Sequence, residues 1–265
     1  MKSVGWILLT LGLSACASLK TPTNPPIQNI PFVSLQEFLT EQNERMKNLE
    51  RVRGKALIRF TDSKNSLFGE SRLIRFLERS LLDVKDPMGR TRLWILANEK
   101  NLTIYEEDSQ TAWRGPQGSA SYFRTYFGMD LPWEELQELW LGILPKSWKK
   151  KNLLTWEFKA GVYEGALKDK TSFRFWVDPE SRQIKLISWI HQAREYQIAY
   201  QDWDACSALE IQKKLLAHRV VMNLPGELGK FELEWENLST IEESPNELNF
   251  QKGLPKGTRL IPLTK

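Results

Sequence analysis

The sequence predicts a mainly β (α+β) fold: an antiparallel sheet that curls towards a barrel, with an N-terminal helix before it and a short helical lid within it. Three observations carry this prediction. Six short apolar segments follow one another between residues 52 and 114, separated by turn residues at the spacing of about 8–12 residues typical of a meander. A second run of such segments occupies residues 153–200, and the interval between the two runs holds two short amphipathic helical patterns. No helical pattern alternates with single strands, which argues against a parallel sheet.

The chain of 265 residues opens with Lys2 and an apolar run from Val4 to Leu13. One positive charge followed by roughly ten apolar residues is the pattern of an export signal, whereas a spanning helix needs about 20. Leu13-Ser14-Ala15-Cys16 sets small residues before a cysteine and resembles the lipobox of bacterial lipoproteins. That resemblance implies a signal peptide over residues 1–15 and a lipidated Cys16 at the mature N-terminus; the competing reading is a soluble export signal with a chance cysteine. Ala17 and Ser18 follow in place of the aspartate that retains such proteins in the inner membrane, which implies an outer-membrane anchor facing the periplasm. With Cys16 acylated, only Cys206 remains, so no internal disulfide is expected and the fold must rest on its core. Removing Lys2 takes the formal charge from +4 to +3, with both signs interspersed and no nucleic-acid footprint. The Lys149-Lys150-Lys151 run reads as a solvated loop, or more weakly as a contact for anionic headgroups.

Residues 16–33 carry Pro22, Pro25, Pro26 and Pro31 among polar residues and read as an extended tether, because proline removes backbone donors and favours extended chain. A barrel domain is expected over residues 34–240. Ser34-Leu35-Gln36-Glu37 reads as a capping box that starts a helix running to about Leu49. Its apolar members, Leu35, Phe38, Leu39, Met46 and Leu49, form an imperfect stripe. Period-two alternation then begins, with Ala56, Ile58 and Phe60 set against Lys55, Leu57 and Arg59. Further strands are expected within residues 67–76, 80–85, 90–97, 101–105 and 111–114. The hairpin between the third and fourth strands turns on Asp86-Pro87-Met88-Gly89, where Pro87 suits the first corner and Gly89 supplies positive φ. Met88 occupies a tip where Asn, Asp or Ser is usual, either folding back on a neighbouring loop or meeting something apolar.

Residues 119–127 and 132–141 read as helices, the second with Pro132 in its first turn and an apolar face of Trp133, Leu136, Leu139, Trp140 and Ile143. Two such helices make a natural lid, or else plug the barrel as core. Strands resume at residues 153–158, 162–167, 172–177, 183–190 and 195–200, and residues 220–224 and 230–235 read as a further pair. Residues 241–265 form a C-terminal extension, irregular from Pro245 with room for an edge strand at its end.

The residues offer no catalytic constellation, so an enzyme, a metal site or a cofactor is not expected. His191 and His218 are the two histidines, distant from each other and outside any zinc-type spacing with the remaining thiol. No Gly-x-Ser-x-Gly, P-loop or dinucleotide fingerprint occurs. Aromatic content stands out instead: ten of the eleven tryptophans lie beyond Cys16, and side chains of that size must mostly be buried. Several strands carry large apolar groups on both faces, as with Leu93 and Ile95 against Trp94 and Leu96, or Phe173 and Phe175 against Trp176. Such a wall suits packing on one side and an apolar cavity on the other, or simply a thicker core.

The helix, the 52–60 strand, the 82–97 hairpin with its Asp-Pro-Met-Gly tip, Gly128-Met129-Asp130-Leu131-Pro132 and Trp140-Leu141-Gly142-Ile143-Leu144-Pro145 together resemble the LolB-like outer-membrane lipoprotein receptors of the LolA/LolB lipoprotein-carrier superfamily. The match is strongest over residues 50–145. It implies an incomplete antiparallel β-barrel with a helical lid around an apolar cavity for lipoprotein acyl chains. The candidate lining residues are Ile58, Phe60, Leu82, Val84, Leu93, Ile95, Ile104, Trp113, Phe123, Phe127, Leu136 and Trp140. In the family an aliphatic residue protrudes from the corresponding hairpin and assists membrane insertion of the cargo; the position here is Met88. The implied partners are a periplasmic LolA-like carrier with its lipoprotein cargo, acyl lipid and the inner leaflet of the outer membrane, met by a monomer. The alternative is a non-catalytic structural or assembly lipoprotein that uses the same barrel as a protein-interaction module.

Overall fold

A computed structural model describes residues 32–62, 66–127, 129–149, 153–167, 170–203, 216–226, 229–243, 250 and 252–264. Cys16, Cys206, Gly128 and the tether as far as Pro31 lie outside the described residues.

The first described element is helix α1 (Leu35–Asn48). Ser34 caps it: the Glu37 amide donates to the Ser34 hydroxyl at 3.2 Å, and the Glu37 carboxylate accepts from the Ser34 amide at 2.8 Å. Its buried face runs through Phe38, Gln42, Arg45, Met46 and the C-cap Leu49, so two polar residues complete the stripe that the apolar positions leave imperfect. Each has a partner for part of its polar group. Gln42 Oε1 accepts from the Leu144 amide at 3.3 Å, and the Arg45 guanidinium donates to the Arg182 carbonyl at 3.5 Å and lies over the Trp203 ring.

A meander follows: β1 (Arg51–Thr61), β2 (Ser66–Phe76), β3 (Arg79–Lys85), β4 (Thr91–Ala97), β5 (Asn101–Glu106) and β6 (Thr111–Pro116). In β1, Val52, Ala56 and Ile58 turn inward while Arg51, Arg53 and Arg59 stay at the surface, the alternation expected of a strand with one covered face. The chain then forms α2 (Ser121–Phe127), α3 (Trp133–Trp140) and the single turn α4 (Lys146–Lys149). Pro132 is the N-cap of α3, in extended conformation, and not a residue of its first turn. A second meander comprises β7 (Leu153–Lys159), β8 (Val162–Leu167), β9 (Lys170–Val177), β10 (Ile184–His191), β11 (Arg194–Gln201), β12 (Arg219–Asn223) and β13 (Lys230–Thr240), and the tail adds β14 (Arg259–Pro262).

These fourteen described strands form one open sheet in the order β14-β6-β5-β4-β3-β2-β1-β13-β12-β11-β10-β9-β8-β7. The two meanders join where β1 pairs with β13, Val52 opposite Thr240 and Thr61 opposite Lys230. Twelve of the thirteen pairings are antiparallel; the exception is β14, which runs parallel to β6. Since β6 and β7 lie at opposite ends of the order, the segment carrying α2, α3 and α4 crosses from one side of the sheet to the other and covers its inner face. Its side chains reach both halves. Trp133 donates to the Ser80 hydroxyl of β3 at 3.0 Å, Trp140 stacks on Phe231 of β13 at 5.0 Å, and Trp148 packs on Phe173 of β9 at 4.1 Å. Lys149 corrects the reading of a solvated lysine run: it belongs to α4, is partly buried and donates to the Gln42 carbonyl at 3.2 Å, because Trp148 draws the turn inward; Lys150 and Lys151 lie outside the described residues.

The large apolar residues on both faces of β4 also find their reason. Ile95 belongs to the main core and Leu93 packs against it, while Trp94 forms a separate cluster with Tyr105 and Ala112, against which Leu96 and Leu254 pack. What covers that second face is the C-terminal tail.

Candidate functional site

Strand direction places the β1–β2, β3–β4, β5–β6 and β12–β13 connections at one end of the sheet and the β2–β3 and β4–β5 connections at the other. The β3–β4 connection is the hairpin carrying Met88, which is 80% exposed. Its tip is held by Asp86, only 8% exposed. One carboxylate oxygen accepts from the Met88 amide at 2.9 Å and the Arg90 amide at 3.0 Å; the other accepts from the Nε of Arg90 at 2.9 Å and of Arg92 at 3.1 Å. Gly89, at φ 78°, closes the turn by donating to the Asp86 carbonyl at 2.8 Å. Burial works to raise the Asp86 carboxyl, but the hydrogen bonds from the Arg90 amide and the two guanidiniums outweigh it and hold the group below its usual range. A rigid turn thus presents a flexible apolar side chain to the outside.

Beside this end, between the sheet and helices α2 and α3, lies a cavity of about 470 Å³. Ten of the twelve residues proposed as its lining surround it. Ile58 and Phe60 come from β1, Leu82 and Val84 from β3, Leu93 and Ile95 from β4, Phe123 and Phe127 from α2, Leu136 and Trp140 from α3. The other two stand outside it. Ile104 is fully buried in the core, and Trp113 is covered by α2, its ring edge-on to Tyr122 at 5.0 Å and Tyr126 at 5.5 Å. Polar groups gather on one part of the wall: Asp62, Arg92, Glu106 and Asp108. Tyr122 donates to Glu106 at 2.6 Å, and burial together with that carboxylate pushes the phenol well above its usual range, so it remains a donor. Arg92 pairs with both Asp86 and Asp108, linking the base of the Met88 hairpin to the wall of the cavity. An apolar chamber with a few polar groups on one side can take a molecule that is mostly hydrocarbon with a polar end.

No family model and no curated protein matches the sequence. Solved structures do match the fold. A domain from Vibrio parahaemolyticus described as outer membrane lipoprotein-sorting superimposes with a TM-score of 0.56 at 14% identity, covering 80% of this chain and 95% of that one. A LolA superfamily protein from Nitrosomonas europaea gives 0.56 at 16% identity, covering 83% and 99%. A DUF1329 family protein from Desulfovibrio piger gives 0.54 at 12% identity, covering 78% and 92%. The fold is the LolA-like incomplete barrel.

Within this LolA-like barrel, six lining residues were not picked out from the sequence: Tyr122, Tyr126, Met129, Met222, Leu224 and Phe231. The first two follow from the helical period of α2, since 122, 123, 126 and 127 share one face. The last three reach the cavity because β13 pairs with β1 and brings β12 with it, a pairing that no local pattern announces. Among the described residues, no group of three or more His, Cys, Asp or Glu could hold a metal, and no helix is long and apolar enough to cross a membrane.

Proposed function

We propose that this protein is a LolB-like lipoprotein receptor, anchored to the outer membrane through a lipid on Cys16, that takes the acyl chains of lipoproteins from a periplasmic carrier into its barrel and inserts them into the membrane. The observation that carries this reading is the apolar cavity of about 470 Å³, next to the end of the sheet that presents Met88. Its volume falls within the range of about 300–1,000 Å³ usual for ligand pockets. Shelter from water is worth about 0.8 kcal/mol per methylene, so acyl chains gain by entering, and passage between two similar cavities is close to neutral. No nucleotide is required for such a step. Met88, on its braced hairpin, would enter the membrane interface beside the departing chains. A purely structural module on the same barrel has no need of an apolar chamber, which favours the lipid-binding reading.

Native mass spectrometry of a soluble form, lacking residues 1–15 and carrying Cys16→Ser, tests this directly when the protein is mixed with a lipoprotein-loaded carrier. Capture of an acylated polypeptide is expected. An intact fold that captures none would move the protein to the scaffold class.

A further inference from the structure

A second group of exposed residues stands at the Met88 end of the sheet, on its outer face. Phe68 of β2 is 41% exposed and lies opposite Arg59 of β1, whose guanidinium sits over the ring at 5.8 Å. Glu70 is opposite Lys85 in the β2–β3 register, so Phe68, two residues further on, stands beside the hairpin of residues 86–90. Gly69 permits this closeness: a Cβ there would come within 2.4 Å of the Lys85 carbonyl oxygen. Met88 follows Lys85 by three residues, so at about 3.3 Å per residue the two apolar side chains reach comparable distances towards this end.

The strands next to Phe68 carry an excess of positive charge. Glu232 of β13, largely buried, pairs with Arg59 at 3.8 Å, with Arg219 of β12 at 3.1 Å and with Lys230. The hydrogen bonds from Lys230 and Arg219 outweigh burial and hold the Glu232 carboxyl below its usual range, yet one carboxylate balances only one of the three cations. The next carboxylates on this face, Glu70 and Glu234, lie beside Lys55 at 3.5 Å and His218 at 3.4 Å. Lys85 is exposed and makes no ion pair among the described residues. The β5–β6 turn, on the other side of the hairpin, is acidic, with Glu106, Glu107 and Asp108.

We propose that this patch is a second membrane contact, in which Phe68 enters the interface beside Met88 while Arg59, Arg219 and Lys230 bind the phosphates of anionic lipid headgroups. A bilayer offers both chemistries side by side, an anionic headgroup layer bordering hydrocarbon. The same surface repels the β5–β6 turn, so the protein leans onto its β1–β13 side. The inference rests on the membrane-facing role proposed for Met88 and adds to it a lipid class and an orientation.

The test is flotation of the soluble form described above with phosphatidylcholine vesicles, with and without phosphatidylglycerol. Tighter binding to the anionic vesicles is expected, with the difference lost at high salt. Arg219→Gln/Lys230→Gln should weaken that binding by about fivefold for each charge removed. Arg79→Gln/Lys100→Gln, which removes the same charge at the opposite end of the sheet, should leave it unchanged. In a Cys206→Ser background, an environment-sensitive fluorophore on Phe68→Cys should shift to the blue with anionic vesicles, while one on Ser109→Cys in the β5–β6 turn should not. Equal binding to both compositions, equal losses in the two double variants, or a fluorophore at position 68 that stays in water would each overturn the proposal. Unchanged vesicle binding in Arg219→Gln/Lys230→Gln with loss of capture from the loaded carrier would also overturn it, by giving the patch to a protein. Patch-dependent vesicle binding without any capture of cargo would support it while removing the receptor reading.

Discussion

Met88 and Asp86 divide the work of the hairpin between exposure and restraint. An apolar side chain 80% exposed gains little from the fold, and the proposed function gives it a task at the membrane interface. Replacing Met88 with Glu therefore leaves stability within about 0.5 kcal/mol, seen as an unchanged melting temperature, because no internal contact is lost. The same variant is expected to capture acylated cargo yet fail to deliver it to liposomes. Delivery at the rate of the unaltered chain would remove Met88 from the mechanism. The restraint survives mild acid. Because the folded carboxyl of Asp86 titrates below its unfolded value, its contribution is present above the ordinary aspartate range near 3.9 and fades only as pH falls through the lower folded value. At this scale the sequence showed the turn and its odd apolar tip. It could not show that Asp86 gathers two amides and two guanidiniums, since Arg92 reaches it from the returning strand.

Among the elements, α1 and the second meander are fitted to each other through aromatic rings. Phe175 of β9 lies opposite Gly165 of β8, and Phe38 of α1 stacks on the Phe175 ring at 5.7 Å and on Trp156 of β7 at 5.0 Å. A Cβ at position 165 would come within 2.2 Å of the Phe175 ring, which is fully buried and has no free space to turn into. Gly165→Ala should therefore cost about 1–3 kcal/mol by overpacking, measured as a lower urea midpoint at unchanged slope. An unchanged midpoint would mean that the α1 interface is looser than the ring stacking indicates. Strands and the longer helices were legible because their periods of 2 and 3.6 are written in adjacent residues. The stripe of α1 looked imperfect because Gln42 and Arg45 are buried through partners more than 100 residues away, which composition counts as surface residues. The turn α4 is four residues long, too short for any period to register.

For the whole molecule, the lining of the cavity divides along the same boundary. Residues from β1, β3, β4, α2 and α3 could be found because each faces inward by its own period, whereas Met222, Leu224 and Phe231 depend on the β1–β13 pairing across the chain. An open sheet leaves two edge strands, and exposed edges invite pairing with other chains. Here the tail deals with one of them. β14 lies along β6, Leu263 donates its amide to the Arg114 carbonyl at 2.9 Å, and the Thr264 carbonyl accepts from the Ser119 hydroxyl at 2.5 Å. Upstream, Lys252 pairs with Asp83 at 2.9 Å and Leu254 covers the outer cluster of Trp94, Tyr105 and Ala112. Removing residues 252–265 would uncover both the β6 edge and two large aromatic rings, and the loss of buried Leu263 alone is worth about 2 kcal/mol. The truncated chain should therefore melt several degrees lower and self-associate with rising concentration in analytical ultracentrifugation, with tryptophan emission shifted to the red. A truncated chain that stays monomeric and melts where the full one does would mean that the sheet protects its own edge, and that the tail serves something outside this molecule.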